Sequence, residues 1–218
     1  MKYEPILHLS SAYSKSILQS VFTALSALKL LGYNCIIHRV ISLEFIMPLF
    51  SSAPKSVCFL RLSAIGDVCH AVSAIQALQK QWPETKVTWI IGKVEAQLLQ
   101  GLENVELIVF DKKAGWAGIK SVWRAIKGRN FDVLVHMQLA LRASIVTLGI
   151  KAKYKVGFNR KRAKEGQWLF TNKKIPDTHS QHVLDSFFSF IEYLGVPKSK
   201  PEWHLPISES DHQFAIQT

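Results

Sequence analysis

From Lys55 onward, short apolar runs alternate with amphipathic stretches, and this alternation restricts the fold more than any other feature. Residues 57–62, 87–91, 106–110 and 131–137 are mostly apolar runs of the length expected for strands buried on both faces of a parallel sheet. Residues 155–157 are a fifth, shorter candidate. Helical spacing falls between these runs. Val68, Val72, Ile75, Leu78 and Trp82 share a face that Pro83 terminates. Ile119, Val122, Trp123 and Ile126 define a second face, closed by Gly128. Leu184, Phe187, Ile191 and Leu194 define a third, ended by Gly195 with Pro197 beyond. Strands and helices in strict alternation with short links predict an α/β fold, a doubly wound parallel sheet of Rossmann-like type.

Residues 1–54 follow another pattern and read as a helical N-terminal extension and linker. Ile17, Leu18, Val21, Phe22, Leu25 and Leu28 recur at helical spacing, with Lys15, Gln19, Ser26 and Lys29 opposite. A mostly apolar run over 35–50 follows, then Ser51-Ser52-Ala53-Pro54 as a link. Two accounts stand: a membrane-surface helix, or a helix packed on the domain or lying upstream of a true start at Met47. Lys15, Lys29, Arg39 and Glu44 interrupt the run, so no stretch reaches the ~18 apolar residues of a transmembrane span. No cleavage site of signal-peptide type follows it. Residues 55–205 hold the α/β units, and 206–218 begin a connection without further strand–helix units.

The net charge is +11 over 218 residues, so an anionic partner is expected. Nucleic acid, an acidic membrane surface and a phosphorylated substrate all satisfy that charge. Cys35, Cys58 and Cys69 are odd in number and lack zinc spacing, which fits a reducing cytosol.

The first strand candidate runs into Ser63-Ala64-Ile65-Gly66-Asp67 and then a helix, the place where an open α/β sheet binds its ligand. No GxGxxG is present there, so a dinucleotide is not indicated. Asp67 is the candidate general base, positioned to take a proton from a hydroxyl attacking an electrophilic sugar carbon. A helix-capping Asp is the competing account. Gly66 permits close backbone approach by a ligand, and Ser63 adds a hydroxyl.

Lys151, Lys153, Lys155, Arg160, Lys161, Arg162, Lys164, Lys173 and Lys174 crowd one stretch against Glu165 alone. In a loop beside the sheet, such a run suits a phosphate or carboxylate; a solvated basic face is the plainer account. Gln138 and Arg142, past the fourth strand candidate, fall at the same sheet edge as Asp67. His70, His136, His179 and His182 lack ligand spacing, so no metal is expected. Ser63 is not in a GxSxG elbow, which leaves a hydrolase triad without support.

Leu60-Arg61-Leu62-Ser63-Ala64-Ile65-Gly66-Asp67-Val68, Phe131-Asp132, Gln138 and Arg142-Ala143-Ser144 resemble the bacterial lipopolysaccharide heptosyltransferases, glycosyltransferase family 9. So do Val156-Gly157-Phe158, Arg162-Ala163-Lys164-Glu165 and His182-Val183, and the resemblance covers roughly 55–205. Ala64 after Ser63 and Leu139 after Gln138 depart from the family pattern. The resemblance implies the N-terminal half of a GT-B glycosyltransferase. It implies transfer of heptose from ADP-heptose to an acidic, phosphorylated inner-core acceptor, with inversion and with neither metal nor cofactor. Asp67 would be the base. Ser63, Ile65 and Gly66 would line the acceptor pocket with Gln138. Arg142, Arg160, Arg162 and Lys164 would meet acceptor anions.

A donor-binding domain of on the order of 150 residues is missing from the sequence, so the chain alone is expected to be inactive. The implied location is cytoplasmic, at the inner face of the inner membrane. A non-catalytic module that holds anionic glycolipid is the alternative. A nucleic-acid-binding domain is a further one, without a recognised signature.

Overall fold

Six parallel strands form one sheet in the computed structural model, which describes residues 48–177 and 182–207 together with 213 and 216. They are β1 (Ser56–Leu60), β2 (Lys86–Gly92), β3 (Val105–Phe110), β4 (Phe131–His136), β5 (Ala152–Gly157) and β6 (Lys173–Lys174). Their order is β3-β2-β1-β4-β5-β6, so the winding direction reverses between β1 and β4. The helices are α1 (Ile65–Gln81), α2 (Lys93–Leu98), α3 (Gly115–Ala125), α4 (Leu141–Val146) and α5 (Val183–Leu194). This is the doubly wound parallel sheet expected from the alternation. Two details differ: β5 starts three residues before the expected 155, and the short edge strand β6 had no sequence signal.

Central β1 shows why these runs are apolar throughout. Val57, Cys58, Phe59 and Leu60 are all fully buried, because both faces of the sheet are covered. Val57 and Phe59 join one core with Val72 and Ile75 of α1 and Phe187 and Ile191 of α5. Cys58 and Leu60 point the other way, into a core with Ile119 and Val122 of α3 and Val146 of α4. Burial pushes the Cys58 thiol well above its ordinary range, so it behaves as a small apolar side chain.

The domain begins earlier than the sequence suggests. The described end of the expected extension and linker, residues 48–54, belongs to the same compact unit as the sheet. Leu49 and Phe50 donate backbone hydrogen bonds to the carbonyls of Tyr193 (2.8 Å) and Leu194 (3.1 Å). The Phe50 ring meets Tyr154 edge-on at 5.7 Å, and Thr85 Oγ1 donates to the Pro54 carbonyl at 2.7 Å. The periodic stretch 17–28 and Met47 lie outside the described residues, as does most of 206–218. Among the described residues, no helix is long and apolar enough to cross a membrane.

Asp132 opens β4 at the sheet edge opposite the β1–α1 turn. Its carboxylate accepts from the backbone N–H of Lys55 (2.7 Å) and Ser56 (3.0 Å), fixing where β1 starts. At the far end, Gly92 closes β2 where the chains crowd. A Cβ there would stand 2.3 Å from both the Leu62 carbonyl oxygen and Glu95 Oε2. Glu95 can swing aside, but the Leu62 backbone carries the turn into α1. Gly92→Ala is therefore expected to cost about 2 kcal/mol, the usual range for overpacking. Denaturant unfolding checks this; an unchanged midpoint would mean that the turn yields freely.

Candidate functional site

The loops after β1 and β4 flank the point where the strand order reverses, which in open α/β sheets is where a crevice forms. Gln138, in the loop after β4, ties the two together. Its side-chain oxygen accepts from the backbone N–H of Leu62 (3.1 Å) and Ser63 (3.4 Å). That oxygen is thus used in shaping the β1–α1 turn. Gln167 braces the same region from below: fully buried, it donates to the carbonyls of His136 (2.9 Å) and Gln138 (3.0 Å) and accepts from Phe158 N–H (3.1 Å). A Gln inside a basic, loop-like stretch carries no periodic signal, and the sequence did not mark it.

Asp67 lies in the first turn of α1 but does not cap it. The residue at the cap position is Ala64, and no side chain there bonds the helix N–H groups. Instead Asp67 Oδ2 forms an ion pair with Arg61 Nη2. The carboxylate keeps about a third of its surface exposed, and Oδ1 has no hydrogen bond among the described residues. Arg61 is the counterpart that sequence reasoning missed, because an Arg at a buried strand end reads as an interruption. It is 8 % exposed, donates Nη1 to the Met137 carbonyl at 2.6 Å and lies 5.2 Å from the centre of the Phe187 ring. Burial pulls its pKa below the usual arginine range, while Asp67 opposes that shift by charge and hydrogen bond.

Around this pair, α1 and α5 bring further polar groups together. His70, one turn after Asp67, meets His182 ring to ring at 5.3 Å. His182 caps α5, its Nδ1 accepting from Leu184 N–H at 3.2 Å. Arg162 donates to Ser186 Oγ in the first turn of α5 and stacks 5.1 Å from the Phe158 ring. Arg61 Nε, Arg162 Nη1 and His70 Nδ1 are buried with no hydrogen-bond partner among the described residues.

The remaining expected residues spread along the same sheet edge. Ile65 is 49 % exposed, and a Cβ on Gly66 would meet nothing within 4 Å. Ser63 is half-buried. Lys164 is exposed, and its neighbour Glu165 accepts from Leu141 N–H at the start of α4, which holds this loop against the β4 loop. Arg142 reaches the Lys112 carbonyl at 3.5 Å. Arg160 stacks 5.1 Å from the Trp168 ring instead. The basic run is accordingly divided. Lys153 and Lys173 flank the Tyr154 ring on β5 and β6, away from the loop that holds Arg160, Arg162 and Lys164. Lys155 is tied to the Thr147 carbonyl at 2.8 Å, with burial lowering its pKa.

Two further groups near these strand ends are buried. His136 ends β4 fully buried, Nε2 3.1 Å from Ser144 Oγ. Burial first, then the charges of Arg61 and Lys155, push its pKa down to about 3, so it stays neutral at ordinary pH. Glu95 is 4 % exposed, with Lys112 Nζ 3.7 Å from Oε1 and no partner for Oε2 among the described residues. Both sit where sequence patterning shows only a strand end and a short helix.

Known proteins share sequence and fold with this chain. Residues 119–218 match the family model of glycosyltransferase family 9 (heptosyltransferase). Over 171 residues the chain is 56 % identical to the lipopolysaccharide core heptosyltransferase OpsX of Haemophilus influenzae, covering 78 % of this chain and 49 % of that protein. It is 22 % identical over 165 residues to lipopolysaccharide heptosyltransferase 1 of Escherichia coli K12, covering 70 % of this chain and 52 % of that one. The crystal structure of a family 9 glycosyltransferase from Veillonella parvula superposes with a TM-score of 0.65 at 24 % identity, covering 78 % of this chain and 49 % of that one. E. coli heptosyltransferase WaaC with ADP superposes with a TM-score of 0.60 at 23 % identity, covering 67 % and 50 %. The chain thus spans about half the length of the relatives it matches.

Proposed function

Because the chain belongs to glycosyltransferase family 9, we propose that it forms the acceptor-binding half of a lipopolysaccharide core heptosyltransferase with ADP-heptose as donor. The observation that carries this reading is the state of Asp67: fixed from one side by Arg61, free of any capping duty, and open at Oδ1. Oδ1 takes the proton from an acceptor hydroxyl as its oxygen attacks the anomeric carbon of the heptose. The bond from that carbon to the diphosphate oxygen breaks, ADP leaves with the electron pair, and the configuration inverts. Arg162 and Lys164, with Arg142 across the α4 start, hold the phosphates or carboxylates of the acceptor. Arg160, stacked on Trp168, contributes at longer range. Ser63, Ile65 and Gly66 line the approach, and Gln138 keeps their turn in place. In this reading the donor nucleotide binds a second domain; the structural relative E. coli WaaC is a complex with ADP. The reaction takes place on the cytoplasmic side of the inner membrane.

The test joins this chain to the C-terminal half of the H. influenzae relative and follows heptose transfer from ADP-heptose to a heptose-free core acceptor. Transfer is the expected result. A folded chimera that binds the acceptor calorimetrically without transferring supports the non-catalytic glycolipid module, and one that does neither rejects both readings.

Gly66 supplies a separate check. Open space around it means that Gly66→Ala leaves stability nearly unchanged. A Cβ in the path of a ligand nevertheless raises KM for the acceptor, by about tenfold for a lost close contact. Unchanged KM would mean that the acceptor does not pass over this turn.

A further inference from the structure

Beyond the crevice, α3 presents a charged flank that the reaction does not use. Trp116, Lys120 and Arg124 recur every four residues, so they fall within about 80° of one another around the helix. Lys113 stands just before this line and Lys127 just after it, and all five residues are exposed. Ile119 and Val122 on the opposite face are buried in the core, so the flank faces away from the domain. No acidic residue occurs between Asp111 and Asp132. Lys113, Lys120, Arg124 and Lys127 make no ion pair among the described residues, unlike Lys112 with Glu95 and Arg129 with Glu106.

A solvated basic face has no need of a large ring, yet Trp116 is 63 % exposed. Leu148 is equally exposed on the 3₁₀ turn Thr147–Gly149, which packs on α3 through Trp123: the indole N–H donates to the Val146 carbonyl at 2.9 Å. The flank therefore combines unpaired cations with two apolar side chains at its margins. Indole rings and basic side chains together suit the headgroup layer of an anionic bilayer, where the ring enters the interface and the cations meet lipid phosphates. Nucleic acid is favoured less, since a convex helix flank offers no groove with successive stacking rings.

We propose that the α3 flank, Lys113–Trp116–Lys120–Arg124–Lys127, docks the protein on an anionic phospholipid surface. The flank begins beside a proposed acceptor contact: the carbonyl of Lys112, directly before it, accepts from Arg142, and the Lys112 ammonium approaches Glu95. A bilayer lying against α3 therefore meets the site from the side, and a lipid-borne acceptor reaches the crevice without leaving the membrane. This last step rests on the reading of the chain as an acceptor-binding half.

The experiment is co-sedimentation of the full 218-residue chain with phosphatidylcholine vesicles, with and without phosphatidylglycerol. Binding is expected only with phosphatidylglycerol and should weaken as salt is raised. The double variant Lys120→Glu/Arg124→Glu is expected to lose at least about tenfold in vesicle affinity. Trp116→Ala should lose less, about threefold. Lys120→Gln/Arg124→Gln is the milder pair if charge reversal harms folding, which circular dichroism reports. Retained binding in both double variants, equal binding to neutral vesicles, or tighter binding to double-stranded DNA than to acidic vesicles would overturn the proposal. Calorimetry with a deacylated core oligosaccharide separates this from the functional reading. Its binding should be unchanged in the double variants, and its absence in the parent chain would count against the acceptor site alone.

Discussion

Asp67→Asn, placed in a protein carrying both halves, is expected to lower the transfer rate by about a thousandfold, within the range a positioned general base contributes. Fold and acceptor affinity should survive. The side chain keeps its shape, its oxygen can still accept from Arg61, and no helix cap is lost because Asp67 forms none. What disappears is the basicity that the proposed mechanism assigns to this group. The measurement is single-turnover transfer alongside calorimetric acceptor binding. Transfer at the parent rate would show that Asp67 serves only to hold Arg61. A loss confined to binding would instead make it an acceptor contact.

Arg61→Ala is expected to have the largest effect on stability, about 3 kcal/mol. Removing a buried partner from an ion pair typically costs about 3–5 kcal/mol. The lower end applies because the Asp67 carboxylate still reaches water. The loss has three parts: the Met137 carbonyl loses its donor, Phe187 loses a stacked cation, and a cavity opens between α1 and α5. At about 2–4 °C per kcal/mol for a domain of this size, the melting temperature should fall by about 6–12 °C. Arg61→Lys should recover part of it, since an ammonium can pair with Asp67 but cannot also bridge to Met137 in the same plane. A melting temperature unchanged in Arg61→Ala would mean that the guanidinium is held without stabilising its surroundings. In Arg61→Lys, transfer should fall more than acceptor binding, because the mispositioned group is the base of the proposed mechanism rather than an anion contact.

These predictions lean on a pair of which the sequence revealed one member. Asp67 stood out because a Gly-Asp step after an apolar run marks a strand-to-helix turn. Arg61 lies six residues away with its side chain tucked between β1 and α5, a relation that spacing along one element cannot express. The same holds for Gln167, which bonds to residues 31 and 29 positions distant. Gln138 was legible as a polar residue at the right edge, but its side-chain oxygen turns inward to the Leu62–Ser63 backbone. The basic run illustrates the converse. Nine cations adjacent in sequence separate in space, because β5 and β6 carry Lys153 and Lys173 along the sheet while the following loop carries Arg160 to Lys164 past its end.

Strand positions, helix faces and the class of sheet were readable from the chain itself, since burial on two faces demands unbroken apolar runs and helical packing demands a 3.6-residue period. The boundary near residue 48 was not, because Leu49 and Phe50 join the domain through contacts with α5, nearly 150 residues later. Which charged groups face one another was likewise decided only by the fold. Local patterns record how each element meets the core, whereas pairings across the crevice depend on loops whose course is set by long-range hydrogen bonds.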